Sequence, residues 1–277
     1  MDPRQARIEI FEGTRQLCQS DKKLVSAIES SKQNQKIYWE ENEIEPAKRR
    51  FSKPVNIIVS RRKTVEAAAV YARRYESTCI LNFASSVSPG GGVVNGAQAQ
   101  EESICRVSTL YFALSDPETA GKFYDRHWEL IREGKMNRRN TDDIIYTPDV
   151  VVVRDDADNE RLMSKAHWFN TNVITCAAPD VRQLGDESQY TPDEDELMKV
   201  LEKRWSRILA VAANHGAKIL ILGAFGCGVF ANPPRLVAES FMNVIDEYKY
   251  HFDTIEFAVY TTAKDSENYN AFLNVIR

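Results

Sequence analysis

Residues 217–248 read AKILILGAFGCGVFANPPRLVAESFMNVIDEY and contain the pattern that decides the fold. The continuous apolar run AKILILG has the length of a buried strand, and PPRLVAESFMNVIDEY has the apolar spacing of a helix. Between them lies a loop that carries Gly223, Gly226 and Gly228. A strand, a glycine loop and a helix in this order are typical of α/β proteins, whose ligands bind beyond the carboxyl ends of the strands.

The same alternation extends through most of the chain. Strands are predicted at 55–60, 78–84, 144–155, 170–178, 217–223 and 254–262, with two short strands inside 144–155. Helices are predicted at 63–75, 99–114, 117–134, 192–216, 233–248 and 266–276. Alternating strands and helices of these lengths predict an α/β fold, a three-layer α/β/α sandwich with a mixed central sheet.

Local signals mark two helix starts. Asp2 followed by Pro3 has the pattern of an N-cap with proline at the first helical position. Thr191, Pro192 and Glu194 form a Thr-x-x-Glu capping box, so a helix is predicted to begin there.

The N-terminal part differs from the rest in being polar and rich in charge. From Asp2 to about residue 50 it is predicted to be helical. We therefore expect two parts, an N-terminal helical extension at 1–50 that packs on a catalytic domain at 51–277.

Composition limits the possible partners and compartment. The 277 residues carry a net charge of −4, so general nucleic-acid binding is not expected. Five widely spaced cysteines without a Cys-x-x-Cys pair predict a reducing compartment, and the charged N-terminus lacks the apolar run of a signal peptide. No apolar stretch reaches the roughly 20 residues that span a membrane. We expect an intracellular protein, cytoplasmic or, in a eukaryote, nuclear.

A second glycine loop, PGGGVVNGAQAQEES at 89–103, places Gly90, Gly91 and Gly92 ahead of Gln-Glu-Glu. Three consecutive glycines allow positive φ angles and let a ligand approach the backbone closely. The two glutamates fall in the first turn of a predicted helix. At this position their negative charges interact favourably with the helix dipole, even if they have no catalytic role.

The loop GAFGCGVF at 223–230 is predicted to bind phosphate through backbone N–H groups at the start of a helix. It matches neither the ATP-binding nor the dinucleotide glycine pattern. The alternative is an ordinary tight turn between strand and helix. Phe225 and Phe230 flank the loop and are suited either to stacking on a base or ribose, or to the core.

Metal and thiol chemistry are not predicted. The acidic segment RDDADNE at 154–160 lacks the glycine and final glutamate of a calcium loop, so it is interpreted as a solvated loop. Cys105 and Cys227 lie near the glycine loops, but no histidine stands at a spacing that indicates a catalytic pair. We expect no metal and no cofactor.

Three glycines, seven residues and then Gln100-Glu101-Glu102 resemble the signature of poly(ADP-ribose) glycohydrolases. The downstream GAFGCGVFANPP is similar to the diphosphate loop of the microbial members. The resemblance covers roughly residues 55–277 and implies a macrodomain, which is an α/β/α sandwich.

The resemblance also implies roles for individual residues. Glu102 would be the catalytic acid/base, while Glu101 and Gln100 would position the riboses. The glycine run would line the distal ribose, residues 226–229 would hold the diphosphate, and Phe230 would pack on the terminal ribose. The implied ligand-binding residues are Asn82, Ser85, Pro89, Gly90, Gly91, Gly92, Val93, Gln100, Gly223, Phe225, Gly226, Cys227, Gly228, Val229 and Phe230.

The activity implied is hydrolysis of ribose–ribose bonds in ADP-ribose polymers, from chain ends, with release of ADP-ribose. Its partners would be poly(ADP-ribose) or ADP-ribosylated proteins. Two alternatives stay open: a reader that binds ADP-ribose without cleaving it, and a hydrolase that removes single ADP-ribose units from proteins. Macrodomains often carry an Asn that contacts the distal ribose at the position where this chain has Ser85, so this chain departs there from the family pattern.

Overall fold

A computed structural model of the protein describes residues 2–72, 74, 77–157, 159–185, 190–264 and 266–277. Within these residues the centre is a seven-stranded sheet. Its strands are β1 (Lys36–Tyr38), β2 (Asn56–Ser60), β3 (Thr78–Phe83), β4 (Ile144–Val152), β5 (Phe169–Cys176), β6 (Ile219–Leu222) and β7 (Thr254–Ala258).

The sheet is mixed, as the sequence predicts. The strand order is β1-β4-β5-β3-β6-β7-β2, with five parallel strands from β5 to β2. The last two strands, β4 and β1, pair antiparallel with their neighbours. The carboxyl ends of β3, β5, β6 and β7 therefore lie at one edge of the sheet, where the loops that follow them meet.

Helices cover both faces of the sheet, which confirms the predicted α/β/α sandwich. They are α1 (Pro3–Ser20), α2 (Lys22–Asn34), α3 (Thr64–Ala72), α4 (Gln100–Val107), α5 (Leu110–Leu114), α6 (Pro117–Thr119), α7 (Arg126–Arg132), α8 (Glu194–Asn214), α9 (Pro234–Tyr248) and α10 (Glu267–Ile276). A π-helical stretch, Ala120–Asp125, joins α6 to α7.

Two hydrophobic cores lie on opposite faces of the sheet because side chains alternate along each strand. On β3, Cys79 and Leu81 face the core built with α8, α9 and α10, whereas Ile80 faces the core built with α3, α4 and α5. Trp205 lies at the centre of the first core and is fully buried.

The N-terminal helices pack on the second face. Phe11 of α1 belongs to the core built with α4, and α2 lies against β4. Asp2 accepts a hydrogen bond from the Arg4 N–H and Pro3 opens the helix, which confirms the predicted start of α1. The division of the chain at residue 50 stays a prediction.

The prediction of helices up to about residue 50 is wrong after Asn34. The chain forms the short edge strand β1, in which Ile37 and Tyr38 face opposite sides of the sheet. Pairing with β4 satisfies the backbone there, so this tertiary contact decides the structure of a polar segment that has weak preferences of its own.

The predicted helix at 99–114 is interrupted at Ser108. The Ser108 hydroxyl donates to the Ile104 carbonyl at 2.7 Å and accepts from the Leu110 N–H, and Ser108 forms a β-bridge with Val152. Such side-chain hydrogen bonds compete with the helical ladder, so α4 ends and α5 begins again two residues later.

Two other local predictions need correction. Residues 144–152 form one strand with a bulge between Thr147 and Val150, not two strands, and Asp149 at the bulge has φ +54°. Helix α8 begins at Glu194 with Asp193 as its N-cap, not with the Thr191 capping box. The Asp193 carboxylate accepts from the Glu196 N–H at 2.8 Å and takes the capping role.

Candidate active site

The side chain of Gln100 ties the first turn of α4 to the end of β3. Its Oε1 accepts from the Phe83 N–H at 2.8 Å, and its Nε2 donates to the Leu81 carbonyl at 2.7 Å and to the Thr64 hydroxyl at 3.1 Å. Both ends of the amide are thus engaged within the protein. This anchor fixes where the next two side chains of α4 point.

Glu101 is held rigidly beneath the loop that follows β3. The residue is 2% exposed, and its carboxyl accepts from the Asn82 amide at 3.2 Å and from the Ser85 N–H at 2.7 Å. Burial raises the pKa of Glu101 to about 8, although these two donors and the Gly90 N–H oppose the shift. The nearby Glu102 charge raises it further. Glu101 therefore holds a proton at neutral pH.

Glu102 is also buried, but only one of its two carboxyl oxygens accepts a hydrogen bond from the described residues. Its Oε1 accepts from the Gly92 N–H at 2.8 Å, whereas its Oε2 has no hydrogen-bond partner in the described part of the chain. A β-carbon built on Gly91 would clash with Glu102 Oε1 and lie 3.1 Å from Glu101 Oε2. Both carboxyl groups consequently converge on the same glycine.

The backbone conformation explains why the first glycine loop needs glycines. Gly90 and Gly91 have φ angles of +68° and +58°. At Gly90 a β-carbon would also lie 2.8 Å from the Tyr111 ring. Val93, placed among the ligand-binding residues by the resemblance, is fully buried and belongs to the core, and Pro89 is half-buried at the start of the turn.

Helix α1 clamps the same loop from outside. The guanidinium groups of Arg4 and Arg7 donate from Nε to the carbonyls of Asn95 and Gly96, each at 2.7 Å. A β-carbon on Gly96, which has φ +71°, would lie 2.6 Å from the Arg4 carbonyl oxygen. Nothing in the sequence indicates this contact, since no local pattern joins residues some 90 positions apart.

A buried network supports the other end of the loop after β3. The His127 Nδ1 lies 2.7 Å from the Ser86 carbonyl, and its Nε2 lies 2.8 Å from the Asp143 carboxylate. The Ser86 hydroxyl donates to Asn140 Oδ1 at 2.8 Å. The sequence shows no signal for this network, because its members come from separate elements.

The loop between β6 and α9 presents backbone N–H groups that donate no hydrogen bond within the described residues. They belong to Gly226, Gly228, Val229 and Phe230. The N–H of Cys227 differs, because it donates to the Ala224 carbonyl at 3.1 Å. Free N–H groups just ahead of a helix N-terminus form a site for an anion.

The side chain of Asn232 holds this second loop in its conformation. It is 1% exposed, and its amide donates to the Pro179 carbonyl at 2.6 Å and to the Gly226 carbonyl at 3.1 Å. Gly226 has φ +73°, and a β-carbon there would lie 2.5 Å from the Asn232 amide nitrogen. The helix predicted from Pro233 starts at Pro234, with Pro233 as its N-cap, and Asn232 instead holds the loop in place through its side-chain hydrogen bonds.

The two phenylalanines of the loop have different surroundings. Phe225 is fully buried, with its ring centroid 5.3 Å from Trp205 and 5.6 Å from Phe83, so the core alternative describes it and no face is left for a ligand. Phe230 is half-buried, and the Arg182 guanidinium lies 5.6 Å from its ring centroid.

Next to the two loops lies a cavity of about 690 Å³. It is lined by the ends of β3, β6 and β7, by α1 and α4, and by Asp156, Ala157, Asn159 and Glu160. The lining includes Arg7, Lys63, Thr64, Phe83, Gln100, Arg106, Asp156, Asn159, Glu160, Ala224, Val259 and Tyr260. The cavity is large enough for a nucleoside.

The interpretation of 154–160 as a solvated loop is wrong for two of its acids. Asp156 and Glu160 are 9% and 6% exposed. The Glu160 carboxylate accepts from the buried Arg106 guanidinium at 2.8 Å, which draws the loop onto α4. Asp158 lies outside the described residues.

Within the described ranges, no group of three or more His, Cys, Asp or Glu side chains is arranged to hold a metal ion. The same residues contain no helix with the length and apolar character needed to cross a bilayer.

Known proteins resemble this chain over nearly its whole length. The model of the family described as "Microbial-type PARG, catalytic domain" matches residues 5–155. The crystal structure of poly(ADP-ribose) glycohydrolase (PARG) from Thermomonospora curvata has a TM-score of 0.84 at 29% identity, covering 98% of this chain and 99% of that one. The same enzyme bound to the inhibitor ADP-HPD has a TM-score of 0.80 at the same identity and coverage.

A second bacterial enzyme extends this similarity. PARG from Deinococcus radiodurans in complex with ADP-ribose has a TM-score of 0.75 and 32% identity, and the match covers 90% of this chain and 96% of that one. A comparison with curated proteins gives no significant match.

Proposed function

Because the chain belongs to the microbial-type PARG family, we propose that it is a poly(ADP-ribose) glycohydrolase, which hydrolyses ribose–ribose O-glycosidic bonds and releases ADP-ribose. One observation carries this proposal. Glu101 and Glu102 converge on Gly91, and one oxygen of Glu102 has no hydrogen-bond partner among the residues that the structure describes. A carboxyl oxygen left unbound in a buried site is available to a substrate.

Glu102 is proposed as the acid and base of the reaction. Cleavage of the glycosidic bond passes through an oxocarbenium-like state, and the departing ribose oxygen needs a proton. Glu102 would donate it from the oxygen that no protein group binds, and the resulting carboxylate would then take a proton from the attacking water. The Gly92 N–H holds the other oxygen and so fixes the direction of the carboxyl group.

Glu101 is proposed to hold the ribose instead of transferring a proton to the leaving group. Its oxygens already accept from Asn82 and Ser85, and its pKa of about 8 keeps it neutral at pH 7. A neutral acid at this position offers a donor to a ribose hydroxyl and avoids repulsion of a second carboxylate. Gln100 contributes by anchoring α4.

The remainder of the substrate fits the two neighbouring features. The free N–H groups of Gly226, Gly228, Val229 and Phe230 are proposed to bind the diphosphate, helped by the positive end of α9. The adenosine would then enter the cavity beside the ends of β6 and β7. This arrangement lets an acidic protein bind a polyanion without a general basic surface.

The proposed mechanism uses no metal and no cofactor. The macromolecular partners would be poly(ADP-ribose) or ADP-ribosylated proteins. All five cysteines are free thiols, which supports an intracellular, reducing compartment.

The proposed reaction is tested by ADP-ribose release from purified poly(ADP-ribose). Glu102→Gln is expected to lower the rate by about 10²–10⁴-fold while ADP-ribose binding is kept, because the amide retains the contact to Gly92 but transfers no proton. The matched control is Glu129→Gln, which changes an exposed acid on α7. Monomeric ADP-ribose as the first product would support cleavage from chain ends.

Other outcomes would favour the alternatives. If the wild type binds ADP-ribose but releases none from polymer or modified protein, the protein is a reader. If it releases ADP-ribose from mono-modified protein but not from polymer, it is a hydrolase of single units. If it does not bind ADP-ribose, the assignment of the two loops fails.

A further inference from the structure

Helix α7 holds the loop after β3 through two consecutive side chains. The His127 Nδ1 lies 2.7 Å from the Ser86 carbonyl oxygen, and the Trp128 Nε1 donates to the Val87 carbonyl at 3.0 Å. Trp128 is exposed at the surface, whereas His127 is buried and packs against Phe123, with 4.4 Å between the ring centroids. The contact between His127 and Ser86 is therefore shielded from water.

The helix that carries His127 is irregular just before this contact. The π-helical stretch Ala120–Asp125 runs directly into α7. Within it Phe123 and Tyr124 are both buried although they are consecutive. Segments of π-helix are rare and often occur at functional sites. The irregular turn thus lies where the helix brings His127 to the loop after β3.

Both ring nitrogens of His127 face groups that accept hydrogen bonds. A carbonyl oxygen can only accept, so Nδ1 must donate to Ser86. The Nε2 lies 2.8 Å from the Asp143 carboxylate, which also accepts from the Glu40 N–H. Burial would raise the pKa of Asp143, but its hydrogen bonds to His127, Thr141 and a backbone N–H lower it below its ordinary value. Asp143 is thus ionised, so Nε2 must donate as well and the ring carries two protons.

The other groups that contact the ring are uncharged. They are the Ser86 carbonyl, the Phe123 ring and the Thr141 hydroxyl, which lies 3.2 Å from Nε2. Among the described groups that bind or stack on His127, Asp143 alone carries a charge. The charge of the ring is therefore balanced by this one carboxylate.

The Ser86 carbonyl lies next to a contact of the proposed active site. The N–H of the preceding residue, Ser85, donates to the Glu101 carboxyl at 2.7 Å. The Ser86 hydroxyl donates to Asn140 Oδ1 at 2.8 Å. A shift of the Ser86 carbonyl would move the backbone at Ser85, and with it the side chain that is proposed to hold the ribose.

We propose that His127 is a positioning residue for the glycohydrolase reaction: as an imidazolium paired with Asp143, it holds the Ser86 carbonyl and thereby keeps Glu101 in place. This inference rests on the proposed function, because Glu101 is taken to hold the ribose at the scissile bond. A neutral imidazole has a single N–H, which binds either the carbonyl or the carboxylate but not both. The charged form lets one side chain bind both groups at once.

The charge of His127 is tested on the wild type by nuclear magnetic resonance of the protein with isotope-labelled histidine. At about pH 8, where an ordinary imidazole is neutral, His127 is expected to carry a proton on each ring nitrogen. A single ring proton at this pH would overturn the proposal. The measurement depends neither on a variant nor on activity.

The positioning role is tested by the kinetics of ADP-ribose release from purified poly(ADP-ribose). His127→Gln is expected to lower kcat by about tenfold or more and to change KM by less than about threefold. The reason is that the amide has a donor at one end only, while the loop proposed to bind the diphosphate is untouched. An unchanged kcat in this variant would overturn the role of His127.

The matched control is His251→Gln, which changes a second buried histidine. The His251 Nε2 lies 3.0 Å from the Ala47 carbonyl, just ahead of β7 and so at the end of the sheet opposite to the site. This variant is expected to lower Tm but to leave kcat unchanged. Equal losses of kcat in His127→Gln and His251→Gln would show that a general loss of stability is responsible, and would overturn the proposal.

Asp143→Asn tests whether the hydrogen bond of His127 is the acting contact. An asparagine accepts from the Glu40 N–H with Oδ1 and donates to the His127 Nε2 with Nδ2, so a neutral ring keeps its Nδ1 proton on Ser86. We expect kcat within about threefold of the wild type, and one ring proton instead of two. A loss of kcat as large as that of His127→Gln would show that Asp143 acts by itself, and would overturn the role of His127.

The results separate this inference from the proposed function. A wild type that releases no ADP-ribose would overturn both, because the positioning role would then have no reaction to serve. An active wild type whose His127 is neutral would overturn the positioning role and leave the glycohydrolase intact. If His127→Gln does not fold, the ring protons of the wild type and kcat of Asp143→Asn still decide.

Discussion

Two adjacent glutamates acquire different properties from their surroundings. Glu101 accepts hydrogen bonds at both oxygens and Glu102 at one, although both are buried at the start of the same helix. Gly91 faces both carboxyl groups, so a side chain at this position would displace at least one of them. The proposed roles, Glu101 as the residue that holds the ribose and Glu102 as the acid, thus follow from the hydrogen bonds of the two residues and not from the residue type.

The pKa of Glu101 predicts a pH dependence of stability. Burial raises it from its ordinary value of 4.5 to about 8, so between these values the folded state binds more protons than the unfolded state. The contribution of Glu101 to stability is therefore full below about pH 4.5 and is lost as the pH rises through 8. Between pH 5 and pH 8 we expect Tm of the wild type to fall by about 5 °C more than that of Glu101→Gln. Parallel melting curves of the two proteins would contradict this.

Gly91→Ala should damage the site with little effect on the rest of the molecule. The positive φ of +58° costs a non-glycine residue about 1–2 kcal/mol, and the new methyl group displaces Glu102. We expect a loss of kcat of roughly tenfold or more, since the acid is moved from its position. Gly134→Ala is the control: φ there is +66°, but a β-carbon meets no atom within 4 Å. A comparable loss of kcat in the control would show that strain alone is responsible.

Whole elements bring the site together through contacts outside the catalytic signature. Helix α1 holds the first glycine loop through Arg4 and Arg7. Asn232 holds the second loop to the end of β5. The family model begins at residue 5, so it includes this helix, and α1 is best regarded as one wall of the site.

The second loop supplies a matched pair of glycines for a stability test. Gly226→Ala combines φ +73° with a clash against Asn232 and Ala178, whereas Gly228→Ala meets nothing within 4 Å. We expect Gly226→Ala to lower the free energy of unfolding by about 2 kcal/mol and Gly228→Ala to change it by less than about 0.5 kcal/mol. Urea denaturation of both variants measures the difference. Equal losses would mean that the loop is not held in the way described.

The molecule as a whole builds the cavity from regions that are far apart in the sequence. Residues of α1 and α4, the residues Asp156 and Glu160, and the ends of β3, β6 and β7 meet around it. The buried ion pair between Arg106 and Glu160 joins two of these regions. Such a pair contributes little net stability against an apolar replacement, but the loss of one partner leaves a buried charge uncompensated.

Glu160→Gln tests this connection. We expect the free energy of unfolding to fall by about 3 kcal/mol, and ADP-ribose binding to weaken because the wall of the cavity loosens. Glu118→Gln is the matched control, since it breaks an exposed pair between Glu118 of α6 and Lys122 of the π-helical stretch. Its effect should be below about 1 kcal/mol. Thermal melts and calorimetry on both variants measure these effects. Similar losses in the two variants would show that the burial of the Arg106–Glu160 pair does not matter.

Local patterns in the sequence were sufficient for strands β2 to β7, most helices and the two glycine loops. The period of apolar residues and the strand–glycine–helix order report on burial directly, because a strand or helix must bury one face. The Gln-Glu-Glu triplet was also correctly placed in the first turn of α4. Strand β1 was not predicted, because a polar edge strand takes its structure from its neighbour β4 and not from an apolar pattern of its own.

Only the tertiary structure determines which of these residues come together in the site and how burial shifts the pKa values of its acids. Glu101 and Asp156 owe their raised pKa values to burial, which depends on segments far away in the chain. Packing between elements likewise buries Phe225 in the core. It also brings Asn232 to the carbonyl with which it holds the second loop, and α1 to the first glycine loop. Sequence patterns record local periodicity, whereas hydrogen-bond partners and desolvation are set by neighbours that only the folded chain brings together.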